Sequence, residues 1–203
     1  MSFNDIFNDK TFIKKIQNRF PKYIYDLNNA FAKDGKLSPD IGTLREKMII
    51  GIFSKHFGDN FSDKLPPQEA EADFILFNEL ISFKTSISKS FKLIWTSNYE
   101  LAIKFYEEFT PKYPIILLIF QKSVGGLYYF SIELLQKIRK KLKSEFLNKP
   151  KSGTNPRGVS LSTKGFNALK SDPDCKYIPI DWNNISKGPN TSLDFIQHYY
   201  DIW

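Results

Sequence analysis

Residues 71–86, Glu-Ala-Asp-Phe-Ile-Leu-Phe-Asn-Glu-Leu-Ile-Ser-Phe-Lys-Thr-Ser, constrain the fold more than any other stretch of this chain. Phe74-Ile75-Leu76-Phe77 is a β-prone apolar run, Asn78-Glu79 carries turn chemistry, and Leu80 to Thr85 returns as a second β-prone run. The pattern predicts a tight hairpin. In a hairpin the start of the first arm lies level with the end of the second, which places Asp73 beside Lys84 at the open end. Side chains alternate faces along a strand, so Glu71 and Asp73 share one face of the first arm, and Ser82 and Lys84 one face of the second. Glu79 falls in the turn or on the opposite face.

A lysine inside an apolar strand is costly unless it has a partner. Asp73 supplies one, although each residue also has a plainer role, as a strand-end cap or a solvated charge. A carboxylate and an ammonium converging at a sheet end suit Mg²⁺-dependent cleavage of a phosphodiester. Magnesium takes a few oxygen ligands and keeps several waters. It polarises the phosphate and generates hydroxide, while the ammonium orients the nucleophile or offsets developing charge.

At Asp73, the apolar strand after it and Ser82-Phe83-Lys84, the sequence resembles the PD-(D/E)XK nuclease superfamily, best known from type II restriction endonucleases. It departs from that pattern at Ala72, where proline is usual, and at Ser82, which stands at the second acidic position. Some restriction enzymes with S-x-K at this point supply the missing carboxylate from the following helix, and Glu100 lies on such a segment. Others place a glutamate on the helix before the hairpin, the position of Glu46. The resemblance therefore implies that Asp73 and Glu100 bind metal, that Lys84 orients or activates water, and that Glu46 and Ser82 border the site. The small size and the helix bearing Arg45 and Met48 are similar to the ThaI-like enzymes. A restriction enzyme cuts both strands, so the resemblance also implies a homodimer with two-fold symmetry on double-stranded DNA with a palindromic site.

The 203 residues carry 29 Lys and Arg against 22 Asp and Glu, a net charge of +7 that favours a polyanionic partner. With 41% hydrophobic and 25% charged residues the composition is globular, and 19 Phe and 10 Tyr supply a large core, enough for one domain over 1–203. The single Cys175 excludes an internal disulfide, and two distant histidines, His56 and His198, argue against zinc. The N-terminus lacks a signal-peptide pattern and the longest apolar run, 115–120, is too short to span a bilayer, so a cytoplasmic protein without membrane attachment is expected.

The remaining segments predict an α/β domain: a mixed central β-sheet flanked by helices on both faces, restriction-endonuclease-like, with an N-terminal helical layer. Residues 4–34 show helical spacing, with Pro21 expected to split them into two helices. Thr43 is placed to cap a helix to about Phe57, with Glu46 at the capping-box position. Met48 on that helix suits the core, or a wedge between base pairs. Residues 58–68 read as a polar loop. Residues 85–95, with Lys89 and Lys92, read as a phosphate-contacting extension of the second arm or another strand. Ser97 to Glu100 is a capping box opening a helix to about Phe109, which gives Glu100 a purely structural alternative.

Residues 114–121 read as a central buried strand, and 127–130 pair back. A basic helix follows over about 132–147, read as a solvated face or one lying along phosphates. The loop 149–158, basic and rich in small donors, offers Lys151, with Arg157 for guanine and Asn155 for adenine; Lys164, opening a short helix to about Leu169, adds another DNA-facing cation. Tyr177 to Ile180, with its proline, reads as an edge strand, and the aromatic tail 193–203 as a docking arm suited to a dimer interface. Two rival functions share this composition. One is a structure-specific repair or junction nuclease of the same superfamily; the other is a non-catalytic DNA-binding module.

Overall fold

The computed structural model describes residues 3–33, 36–37, 41–66, 71–121, 125–152 and 158–183. A short helix α1 (Phe3–Ile6) precedes the long α2 (Lys10–Ala30). The two-residue strands β1 (Ala32–Lys33) and β2 (Lys36–Leu37) lead to α3 (Ile41–Phe57). Next come β3 (Phe61–Ser62), β4 (Phe74–Leu76), β5 (Glu79–Ser86) and β6 (Lys92–Ile94). The chain continues through α4 (Tyr99–Glu108), β7 (Ile115–Ile119), β8 (Gly126–Phe130) and α5 (Ile132–Leu142). It ends, within the described residues, with β9 (Val159–Ser160), α6 (Thr163–Lys170) and β10 (Lys176–Pro179).

The main sheet has the order β10-β8-β7-β5-β4-β3. Only β5 and β7 run parallel within it, so the sheet is mixed. β7 and β8 are buried along their whole length. Their side chains alternate between two cores, which is why the sequence there is a continuous apolar run. Ile116, Leu118, Leu127 and Tyr129 join the layer under α2 and α3, while Ile115, Leu117, Tyr128 and Phe130 join the layer under α4, α5 and α6.

The second layer stops short of β4 and β5. Ile81 and Phe83 pack under α3, but no residue of β4 or β5 belongs to the second core. Ser82 and Lys84 pair with Ile115 and Leu117 of β7 and so share their face. On that face Ser82 is buried and Lys84 half-buried, and the site lies there.

Several expectations shift in detail. Pro21 sits inside α2 rather than dividing it; the break falls at Asp9, whose carboxylate accepts from the amides of Thr11 and Phe12 as an N-cap. Burial of Phe12, Ile16, Phe20, Tyr23, Ile24 and Leu27 along one face outweighs the hydrogen bond that Pro21 removes. The hairpin turn is Phe77-Asn78, one residue before the expected pair, with φ of 51° and 65° and Leu76 opposite Glu79. These angles make a type I′ turn, unusual for phenylalanine. Tertiary contacts hold it: the Phe77 amide donates to Asn60 O at 2.9 Å, and its ring meets Phe57 edge-on at 5.6 Å. The polar loop contains a strand, β3, that lengthens the sheet. The basic helix ends at Leu142, and its Arg139 is structural, donating to the carbonyls of Phe109, Tyr106 and Lys143.

Candidate active site

β4 ends its pairing with β5 at the Phe74–Ile81 pair, so residues 82–86 of β5 have no strand on that side. Backbone amides along such an open edge need acceptors. The Phe83 amide donates to Asp73 Oδ2 at 2.7 Å, and the Thr85 amide to Glu46 Oε1 at 3.3 Å. Two carboxylates thus replace the missing strand, at alternate residues and about 7 Å apart along it. Lys84 lies between the two amides in sequence, and its ammonium donates to Asp73 Oδ2 at 2.9 Å.

Asp73 is held from three directions. Its Oδ2 also faces the Ser82 hydroxyl at 3.4 Å, and its own amide donates to Ile81 O at 2.8 Å. Fixing Oδ2 in this way sets the carboxylate plane and leaves Oδ1 outside these bonds. Ser82, 7% exposed, supports Asp73 from beneath.

Glu46 arrives from the opposite layer, in the second turn of α3. That helix begins at Ile41, so Thr43 is not its cap and Glu46 does not close a capping box. Its Oε1 instead accepts from both the amide and the hydroxyl of Thr85, each at 3.3 Å. Burial pushes the Glu46 carboxyl above its ordinary range, and the charge of Asp73 adds to the rise; Lys84 and the Thr85 donors oppose it.

Glu100 stands apart from this group. It is exposed in the first turn of α4, and the N-cap there is Asn98, whose side chain accepts from the Leu101 amide at 2.9 Å. The expected capping box at Ser97 is absent, and no hydrogen bond ties Glu100 to Asp73, Lys84 or Glu46. The hydrogen bonds join Asp73 to Ser82, Phe83 and Lys84, and Glu46 to Thr85, on one edge of β5; Glu100 takes no part in either set.

The expected DNA-facing residues divide three ways. Arg45 and Met48 are buried, at 6% and 2% exposure. Met48 packs in the core under α3, and Arg45 donates to Asn28 Oδ1 through Nε at 3.1 Å and Nη2 at 2.6 Å, with its guanidinium 5.2 Å from the Phe120 ring. On an amphipathic helix docked against a sheet these positions face inward, so neither side chain is available at the surface to wedge into a duplex. Lys89 and Lys92, both half-buried, follow β5, where the hydroxyls of Ser86 and Ser88 donate to the Ser90 carbonyl. Lys151 is exposed, and Lys164 is engaged with Glu145 at 2.6 Å. Asn155, Arg157 and the tail 193–203 lie outside the described residues.

Thr85 was not singled out by its sequence context, and nothing local marks it. Its contact with Glu46 exists because α3 packs against β5. The donor set suits a hard cation, since Asp73 and Glu46 present carboxylate oxygens and no thiol or imidazole. Among the described residues no three Asp, Glu, His or Cys side chains cluster, so the protein offers two carboxylates. That is enough for an ion that keeps most of its waters. Among the described residues no helix is long and apolar enough to cross a membrane.

Comparison with known proteins agrees with this geometry. No curated protein sequence matches the chain. A solved structure described as a restriction endonuclease in complex with substrate DNA superposes with a TM-score of 0.80 at 31% identity, covering 98% of this chain and 97% of that one. The family model for restriction endonuclease ThaI matches residues 6–203. With a carboxylate–lysine hairpin on a mixed sheet and a family match over nearly its whole length, the chain belongs to the ThaI restriction endonuclease family and is an endodeoxyribonuclease.

Proposed function

We propose that this chain is a Mg²⁺-dependent type II restriction endonuclease that cuts double-stranded DNA at a short palindromic site, acting as a homodimer of single-domain subunits. The observation that carries the reading is the open edge of β5, where Asp73 and Glu46 take alternate amides with Lys84 between them. A similar solved structure is described as bound to substrate DNA, and the charge of +7 suits the same partner.

Asp73 and Glu46 would hold the metal. A divalent cation held by these two carboxylates would supply Lewis-acid polarisation of the scissile phosphate and activation of water. The protein's own part is positional. The three donors on Asp73 Oδ2 fix that carboxylate before substrate arrives, and Thr85 does the same for Glu46. Lys84, half-buried and held by Asp73, would orient the attacking water and offset charge building on the phosphate. Lys89, Lys92 and Lys151 contact the backbone without reading sequence. Base reading is assigned to Asn155 and Arg157.

End-sequencing of digested plasmid tests the palindrome. Fragments that share one symmetric end sequence support it, and ends of unrelated sequence reject it. A sedimentation mass of two chains supports the dimer, and a monomer bound to uncut duplex rejects it.

A further inference from the structure

Trp95 is the most exposed large apolar residue among those described, at 71%, and Leu101 nearby is 49% exposed. Singly exposed apolar side chains are ordinary, but Trp95 and Leu101 border one hollow and so form a patch. Trp95 stands at the end of β6, with the Lys92 ammonium 3.6 Å from its ring centre. One ring face therefore carries a cation.

The indole forms the rim of a hollow of about 550 Å³, with Leu101, Phe105 and Phe109 as its apolar wall and Lys104 and Lys112 on its border. Glu71 and Glu108 also border it, and with Lys92 the cations outnumber them. One observation ties the hollow to the cleft beside Ser82, and a second sets Gly158 against its Trp95 rim. Glu71 and Lys112 line both it and the small cleft beside Ser82. Gly158, the residue after the basic stretch 149–157, lies so close that a Cβ there would sit 2.2 Å from Ile94 O and 3.2 Å from Trp95 Cα.

We propose that Trp95 and this hollow hold one nucleotide of the DNA strand leaving the cleavage site, with the indole packed on its base or sugar and Lys92 and Lys104 on its phosphates. The inference rests on the DNA-cleaving reading above. The choice of a nucleic acid over a protein partner comes from the lysine on the ring and the continuity with the Ser82 cleft. A flat aromatic with a cation on one face suits a nucleotide of any sequence.

The test is duplex binding by the full chain in EDTA, measured by fluorescence anisotropy with a labelled duplex of mixed sequence. Wild type, Trp95→Ala and Trp95→Phe are compared, with sedimentation of each protein alone. Trp95→Ala is expected to weaken binding by roughly five- to a hundredfold, with less loss in Trp95→Phe and an unchanged sedimentation mass. Equal binding by Trp95→Ala and wild type overturns the inference and leaves the nuclease reading intact. A lighter species for Trp95→Ala also overturns it, because a second copy of the chain then covers this face. Failure of the wild type to bind any duplex overturns both.

Discussion

Glu46 and Asp73, 27 residues apart in sequence and on different layers of the fold, accept amides two residues apart on one open edge of β5. The strand that would otherwise occupy that edge stops at Phe74. Ending β4 early thus has two effects: it exposes donors that fix two carboxylates, and it opens a window through which both surround Lys84. A longer β4 would close the site.

Thr85 follows as a positioning residue. Thr85→Val keeps the backbone amide but removes the hydroxyl that holds Glu46 Oε1 at 3.3 Å. Cleavage by Thr85→Val is expected to fall by roughly tenfold, with a raised magnesium requirement and a melting temperature close to wild type. Titration of cleavage against Mg²⁺ checks this, and an unchanged magnesium dependence rejects the role.

Glu46 should oppose stability in the metal-free protein. Its carboxyl is raised by burial, so the folded chain keeps a proton at pH values where the unfolded chain has released it. Wild-type stability contributed by this group therefore falls as pH climbs from the ordinary carboxylate range through the raised value. Glu46→Gln removes that fall. In EDTA near neutral pH the variant is expected to melt higher than wild type, with the difference vanishing below the ordinary carboxylate range, while cleavage in Mg²⁺ is lost. Melting curves across pH decide it; a variant that melts lower at neutral pH contradicts the assignment.

Glu100 provides the contrast. It is exposed on α4 and bonded to none of Asp73, Lys84 or Glu46, so Glu100→Ala is expected to leave cleavage within roughly two- to threefold of wild type. A loss comparable to that of Glu46→Gln would restore Glu100 to the metal site.

The edge of the sheet has its own weak point at Gly126. Its φ is 155°, and a Cβ there would lie 2.4 Å from the Tyr177 ring and 2.5 Å from Ile178 O, both on β10. Gly126→Ala must displace β10 or strain β8, and is expected to destabilise the protein by roughly 1–3 kcal/mol. Thermal melting checks this, and an unchanged midpoint rejects it.

The parts of this account legible in the sequence are those written locally. Asp73, the hairpin and Lys84 lie within twelve residues, and strand alternation alone puts them together. The continuous apolar run in 114–121 marks a strand buried on both faces, found at Ile115–Ile119, and the helices read from about 132 and from 162–164 begin at Ile132 and Thr163. What escaped depends on contacts distant in the chain. The turn slipped by one residue because Phe77 is stabilised in a left-handed conformation by Asn60 and Phe57. Glu46 and Glu100 both offer a carboxylate in the sequence, and helical periodicity does not show that α3 brings Glu46 onto the Thr85 amide. The same limit hid the burial of Arg45, while Met48, read as core or as a wedge, lies in the core under α3.

Cleavage of plasmid DNA by the wild type and by Asp73→Ala, each with Mg²⁺ and with EDTA, tests the central claim most directly. Discrete bands from the wild type in Mg²⁺, none in EDTA and none from Asp73→Ala under either condition are predicted, with the variant still binding duplex. Cutting by Asp73→Ala at the wild-type rate, or by the wild type in EDTA, would contradict a metal site built on the open edge of β5.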